Sequence, residues 1–178
     1  MKLKDLLEQK REQVLKRWFE LSLEAYPPDV SNFFKLEKDR FANPVGYAIS
    51  TGIETLLEQV ILETDPDRII STLDGIIRIR AVQDFTPSQA LAFVFLLKKA
   101  VREELKAEDY GFTTLDAPEL FKEIIQFETK IDRVASLAFD VYVKCRDDIN
   151  RIKARGPNAE QARARHLRRI KESMEEEE

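Results

Sequence analysis

Ile69 to Leu105, IISTLDGIIRIRAVQDFTPSQALAFVFLLKKAVREEL, decides the fold. Within it Phe85-Thr86-Pro87-Ser88-Gln89 places threonine at a helix N-cap, proline at the first helical position and glutamine three residues after the cap. That is a capping box, in which the threonine oxygen and the glutamine side chain satisfy backbone N–H groups left free by the first turn. A helix is therefore expected from Pro87. It runs directly into Ala90 to Leu97, an octet without a polar side chain. A helix that is apolar on every side belongs among other elements and not at the surface. The preceding helix should pack beside it, and the pair forms the centre of a helical core.

Working outward, a chain of 178 residues suits one domain with a sizeable core. Glycine and proline are scarce, at 5 and 7, and the prolines fall where helices should begin. The expected fold is all-α: a single bundle of about five to six helices over residues 1–155 with a long C-terminal helix, followed by a charged tail at 156–178. A net charge of −4 opposes sequence-independent nucleic-acid binding, which needs clustered Lys and Arg to displace counterions. One cysteine, Cys145, precludes an intramolecular disulfide and fits a cytoplasmic protein. The N-terminus lacks an unbroken apolar stretch, and Ala90 to Leu97 is too short to span a bilayer, so neither export nor membrane anchoring is expected.

Leu3, Leu6, Leu7, Val14, Leu15, Trp18, Phe19 and Leu21 recur mostly at helical steps, predicting one amphipathic helix that ends before Pro27-Pro28, with Trp18 in the core. Phe33, Phe34 and Phe41 stand among charges in a short helix and loop that either closes one end of the bundle or lines a cleft. Asn43-Pro44 caps and starts a second long helix, in which Gly46 and Gly52 are expected to mark a close helix crossing. Asp65-Pro66 starts the next, with Ile69, Ile70, Leu73, Ile76 and Ile77 as its buried stripe. Projected at about 100° per residue, that stripe continues through Arg80 and Asp84. The stripe after Pro87, comprising Leu91, Val94, Phe95, Val101 and Leu105, likewise takes in Lys98 and Arg102. Two accounts stand. The charges lie at element ends, covering apolar surface with their stems and pairing with water or with Asp84. Alternatively they bound a polar pocket for an anionic or polar ligand, since unpaired charge is costly inside a protein.

Glu108 to Leu115 is expected to be a loop, and Asp116-Ala117-Pro118-Glu119 repeats the capping box. Leu120, Ile124, Phe127, Ile131, Val134, Ala138, Val141 and Cys145 then alternate steps of four and three, the spacing that keeps one seam turned toward a partner helix. Ile125, Ala135, Phe139, Tyr142 and Ile149 are expected to widen the buried face. This helix, Ala117 to Arg155, is long enough to project beyond the bundle, and Phe127, Ile131, Val134 and Val141 become candidates for a dimer or partner contact. Gly156-Pro157 should halt it, leaving a block-charged tail with Arg163, Arg165, Arg168 and Arg169.

No catalytic arrangement is found. The single histidine, His166, lies in the tail, so histidine-based acid–base chemistry and histidine ligation of haem within the bundle are excluded by composition. Glu-x-x-His pairs, phosphate loops and dinucleotide fingerprints are absent, and zinc would require an atypical donor set. Glu103-Glu104 and Asp147-Asp148 are adjacent and diverge on a helix. A protein that is not an enzyme, with no metal and no cofactor, is expected.

Arg40 to Tyr47 (RFANPVGY), Leu73 to Ala90 (LDGIIRIRAVQDFTPSQA) and Leu96 to Leu105 together resemble the RsbRD-type N-terminal domain, the sensory domain of RsbT co-antagonist proteins and of some stand-alone bacterial proteins. The resemblance runs from about Leu3 to Cys145 and is most specific from Ile76 to Ala90. It implies an all-helical, globin-like but haem-free module that dimerises and takes part in stress or redox signalling. The co-antagonists carry a phosphorylatable domain after this one, whereas only a short charged tail follows Arg155 here. Two functions follow: a dimeric regulatory module that meets an unidentified regulatory protein through its last helix, or a small-molecule sensor or carrier. The latter would have its pocket between the Asn43, Asp65 and Pro87 helices, bounded by Tyr47, Arg80, Asp84 and Arg102.

Overall fold

The computed structural model describes residues 2–62, 65–106 and 117–155. They form seven helices: α1 (Leu3–Gln9), α2 (Arg11–Leu23), α3 (Pro28–Leu36), α4 (Pro44–Leu62), α5 (Pro66–Val82), α6 (Pro87–Lys106) and α7 (Ala117–Arg155). No strand occurs among the described residues. The helical bundle is as expected; the larger number of helices comes from one break.

That break lies at Lys10, whose backbone (φ −102°, ψ 15°) ends α1 and starts α2. The expected continuous first helix is therefore bent. Leu3, Leu6 and Leu7 are all buried, and the Leu3 N–H donates to Glu123 Oε2 on α7 at 2.5 Å. The bend thus folds the N-terminal turn of apolar residues back onto the last helix.

The proline-led starts form as the sequence requires. Asn43 Oδ1 accepts from the Gly46 N–H at 2.8 Å, and Asp65 Oδ1 from the Asp67 N–H at 3.0 Å. At α6 the box closes in both directions: Gln89 N–H donates to Thr86 Oγ1 at 3.4 Å, and Thr86 N–H to Gln89 Oε1 at 3.0 Å. Asp116, the cap expected for α7, falls outside the described residues, as do the loop before it and the tail after Arg155.

Packing places α6 between α2 and α7, with α5 between α4 and α7. Trp18, Ile53, Leu73, Ile77, Phe93 and Ile131 are at most 1% exposed and occupy the middle. Each such side chain contributes about 1.5–3 kcal/mol on removal from water. Gly52 is a true close approach, since a Cβ there would stand 2.7 Å from Ile76 Cδ1 of α5. Gly46 is not a crossing point: its near neighbour is Asn43, so the missing side chain makes room for the helix's own cap. Ile70 and Phe95, expected in buried stripes, are 38% and 49% exposed because each lies at the edge of its helix's covered face.

Candidate functional site

Arg80 emerges from the last turn of α5 at 0% exposure. Its Nη2 donates to the Ser22 carbonyl at 2.9 Å, and its Nη1 to those of Gln89 and Ala90 at 3.3 and 3.4 Å. Ser22 belongs to the final turn of α2, where helical carbonyls lack N–H partners, so the guanidinium caps α2 from a different helix. The rings of Tyr26, Phe85 and Phe93 surround it at 5.7, 5.6 and 5.0 Å from Cζ to centroid. Its bonded acceptors are neutral carbonyls, and Nε has no hydrogen-bond partner. Burial accordingly pushes the guanidinium pKa down, opposed in part by Tyr26, whose phenol is pushed up by its own burial.

The corner around Arg80 is braced from every side. Trp18 Nε1 donates to the Phe93 carbonyl at 2.6 Å, adding a third bond from outside α6 to its main chain. Tyr142 Oη donates to the Phe85 carbonyl at 2.7 Å, and Arg146 Nη1 to that of Ala81 at 3.1 Å, both reaching from α7. Between α5 and α6 the chain reverses at Asp84, the one non-glycine residue with positive φ (58°) among those described. Aspartate tolerates that region better than most side chains do.

The four residues expected to bound a ligand pocket are thereby separated. Arg80 is enclosed. Asp84 is not on the core side, because α5 ends at Val82 and the helical projection no longer applies; its side chain is 77% exposed and meets Arg146 at 3.3 Å. Arg102 is 58% exposed and holds Glu128 with two bonds of 2.6 and 2.7 Å, which raises its pKa. Lys98 pairs with Asp132 at 2.5 Å. The partners of Lys98 and Arg102 are carboxylates of α7, and Asp84 serves neither. Tyr47 is half exposed on α4. Among the described residues, clefts of about 260, 310 and 440 Å³ open on the surface. They are lined by α1, α4 and α7, by α2 and α4 with Lys38, and by α7 alone, and none includes any of the four residues.

The aromatic cluster after α2 also divides. Phe34 is buried edge-on to Tyr26 at 5.2 Å, closing the end of the bundle. Phe33 is half exposed and Phe41 is 80% exposed with Arg40 stacked on it at 4.7 Å, so the three line no common cleft.

Phe127, Ile131, Val134 and Val141, expected at a subunit contact, are 5%, 0%, 5% and 7% exposed within the single chain. Their seam is filled by the chain's own α5 and α6, which leaves those side chains no free surface. Ile125 and Phe139 do not widen this buried face; they are 50% and 51% exposed. With Phe121 and Val143 they form a second stripe on the outside of α7 that the sequence reading missed. The signal was present, since the four fall within about 40° of one another at 100° per residue.

Cys145 is 1% exposed, with Sγ 3.5 Å from Asp74 Oδ1. Burial and the neighbouring carboxylate push its thiol pKa up, the reverse of what a reactive cysteine requires. No group of His, Cys, Asp and Glu with metal-binding proximity occurs among the described residues. Nor is any described helix long and apolar enough to cross a membrane.

The profile of the RsbT co-antagonist protein rsbRD N-terminal domain matches residues 12–156. The chain belongs to that family. The match spans α2 to the end of α7 and so covers every element that holds the Arg80 corner. Comparison with curated proteins and with solved structures returned no match. Membership of this rsbRD N-terminal family points to a sensory or regulatory domain in stress signalling.

Proposed function

We propose that this chain is a non-catalytic sensory or regulatory protein of bacterial stress or redox signalling, acting in the cytoplasm as a homodimer through contact with another regulatory protein. Its rsbRD N-terminal domain supplies the regulatory role. The observation that carries the non-catalytic, contact-based part is the Arg80 corner. Where the charges on the central stripes pointed to a ligand pocket, a guanidinium at 0% exposure is packed by three rings and bonded to three carbonyls. No space of ligand size adjoins it in the three clefts described. Information leaves such a molecule through its surface and its long last helix.

Native mass spectrometry of protein freshly taken from its host tests this directly. The expected species is two 20.7-kDa chains with no added small-molecule mass. A stoichiometric retained small molecule would favour the sensor or carrier function, and a single chain at tens of micromolar would remove the homodimer.

A further inference from the structure

On α7 the outward residues Phe121, Ile125, Phe139 and Val143 are 58%, 50%, 51% and 44% exposed. Large side chains lined up this way on one helix face, with none of the described residues of the same chain over them, mark an interaction surface. Phe121 to Val143 spans about 33 Å at 1.5 Å per residue. Glu128, Asp132 and Ser136 lie between the two apolar pairs on the same side of the helix.

The order of these residues is symmetric about Asp132. Phe121 and Val143 are equidistant from it, as are Ile125 and Phe139, and Glu128 and Ser136. A surface of that kind is self-complementary under a twofold axis perpendicular to the helix, the requirement of an isologous contact. We propose that the outer face of α7 is where a second copy of this chain docks, with the two α7 helices antiparallel about an axis through Asp132. The inference rests on the dimeric function above and assigns it a surface and a direction.

In this register Phe121 of one protomer stands level with Val143 of the second copy, and Ile125 with Phe139. Glu128 meets Ser136. Lys122 and Asp140 share one flank of α7, and the antiparallel arrangement turns like flanks together, bringing Lys122 within a turn of the second copy's Asp140. A parallel pair would instead leave Lys122 and the second copy's Asp140 about 27 Å apart along the helices. On the axis, Asp132 faces its own copy. Each Asp132 already holds Lys98 of its own protomer at 2.5 Å, so the two carboxylates meet as ion pairs, free to exchange partners across the axis.

Cysteine cross-linking of the full chain tests the geometry. Protomers carrying Ile125→Cys are mixed with differently tagged protomers carrying Phe139→Cys under mild oxidation. The expected product is a disulfide joining the two kinds of chain. Either variant alone should stay unlinked, because its own two positions lie about 21 Å apart along the paired helices. The native Cys145 is buried and does not compete. Sedimentation of Phe139→Lys should show the dimer Kd raised at least 100-fold with unchanged far-UV circular dichroism. Lys98→Ala, which leaves two facing carboxylates, should raise it about 10-fold. Cross-links from each variant alone, with none between the two kinds, would overturn the antiparallel arrangement. A dimer that ignores Phe139→Lys and gives no cross-link would overturn the surface while leaving the dimeric function intact. A wild-type chain that is monomeric at tens of micromolar would end both.

Discussion

Arg80 and Arg102 lie on stripes that the same helical arithmetic turns toward the core, and their surroundings are opposite. Arg80 is fully enclosed, donates to main-chain carbonyls and has its pKa lowered by burial. Arg102 keeps more than half its surface in water, grips a carboxylate and has its pKa raised by it. The difference lies in how far protein extends in the direction each side chain takes. The end of α5 faces both α2 and the start of α6, so Arg80 finds main chain all round. Arg102 leaves α6 beside α7 alone and ends at the rim, where Glu128 stands. A stripe gives a direction; depth depends on which neighbours arrive.

Removing the enclosed member should have the largest effect. Arg80→Ala leaves the Ser22 carbonyl without its donor and opens a space among Tyr26, Phe85 and Phe93, and should cost about 3–5 kcal/mol in urea unfolding. Arg80→Met refills most of the volume and removes a charge that is expensive to desolvate. It should cost about 1–2 kcal/mol. A methionine variant as unstable as the alanine one would mean that the guanidinium's bonds, and not its bulk, hold the corner. Trp18→Phe probes the same corner from α2. It keeps an aromatic ring against α6 but removes the 2.6 Å bond that the Phe93 carbonyl accepts beyond its helical one, for an expected loss of about 1 kcal/mol. At the rim, Arg102→Ala should change stability by about 0.5 kcal/mol, in line with exposed ion pairs generally. A loss above 2 kcal/mol would show that the α6–α7 edge is as tightly organised as the interior.

Much of the fold was legible because helix starts are local chemistry. Thr86-Pro87 with Gln89, Asn43-Pro44 and Asp65-Pro66 each satisfy their first turns with atoms only a few residues away. The break at Lys10 was not legible: Leu3, Leu6 and Leu7 continue the periodicity of α2 closely, and the bent N-terminal turn is held by Glu123, far along the sequence on α7. The expected pocket failed for two reasons. Asp84 lies past the end of its helix, where about 100° per residue no longer describes the chain. Lys98 and Arg102 found carboxylates on α7 that one-helix projection cannot supply. Those partners did leave a trace, because Lys98 and Arg102 share the four-residue spacing of Glu128 and Asp132, as two antiparallel helices require. The seam on α7 was read as facing a partner helix; that α5 and α6 of the same chain supply the partner is a fact of tertiary structure.

The smallest effect sharpens the contrast between rim and interior on a single contact. Asp74 stands at the edge of α5, 38% exposed, with Arg78 on one side at 2.9 Å and the enclosed Cys145 thiol on the other at 3.5 Å. The Arg78 hydrogen bond holds the carboxyl below its ordinary 3.8. Its contribution is therefore complete above that pH and lost as pH falls through the folded value. Burial, with Asp74 second, holds the thiol above its ordinary 9.0, so the thiol's contribution is complete below that pH and lost as pH rises through the folded value. Asp74→Asn should therefore bring the variant and wild-type urea midpoints together only once pH has fallen through the lowered folded value, below the carboxyl's ordinary 3.8, where the wild-type carboxyl is also neutral. On the alkaline side it should relieve only the lesser cause acting on Cys145, leaving most of the decline above pH 9 in place, whereas Cys145→Ser should remove the thiol's share of it. An alkaline limb flattened equally by both substitutions would make the carboxylate, and not burial, the main reason the thiol resists ionisation.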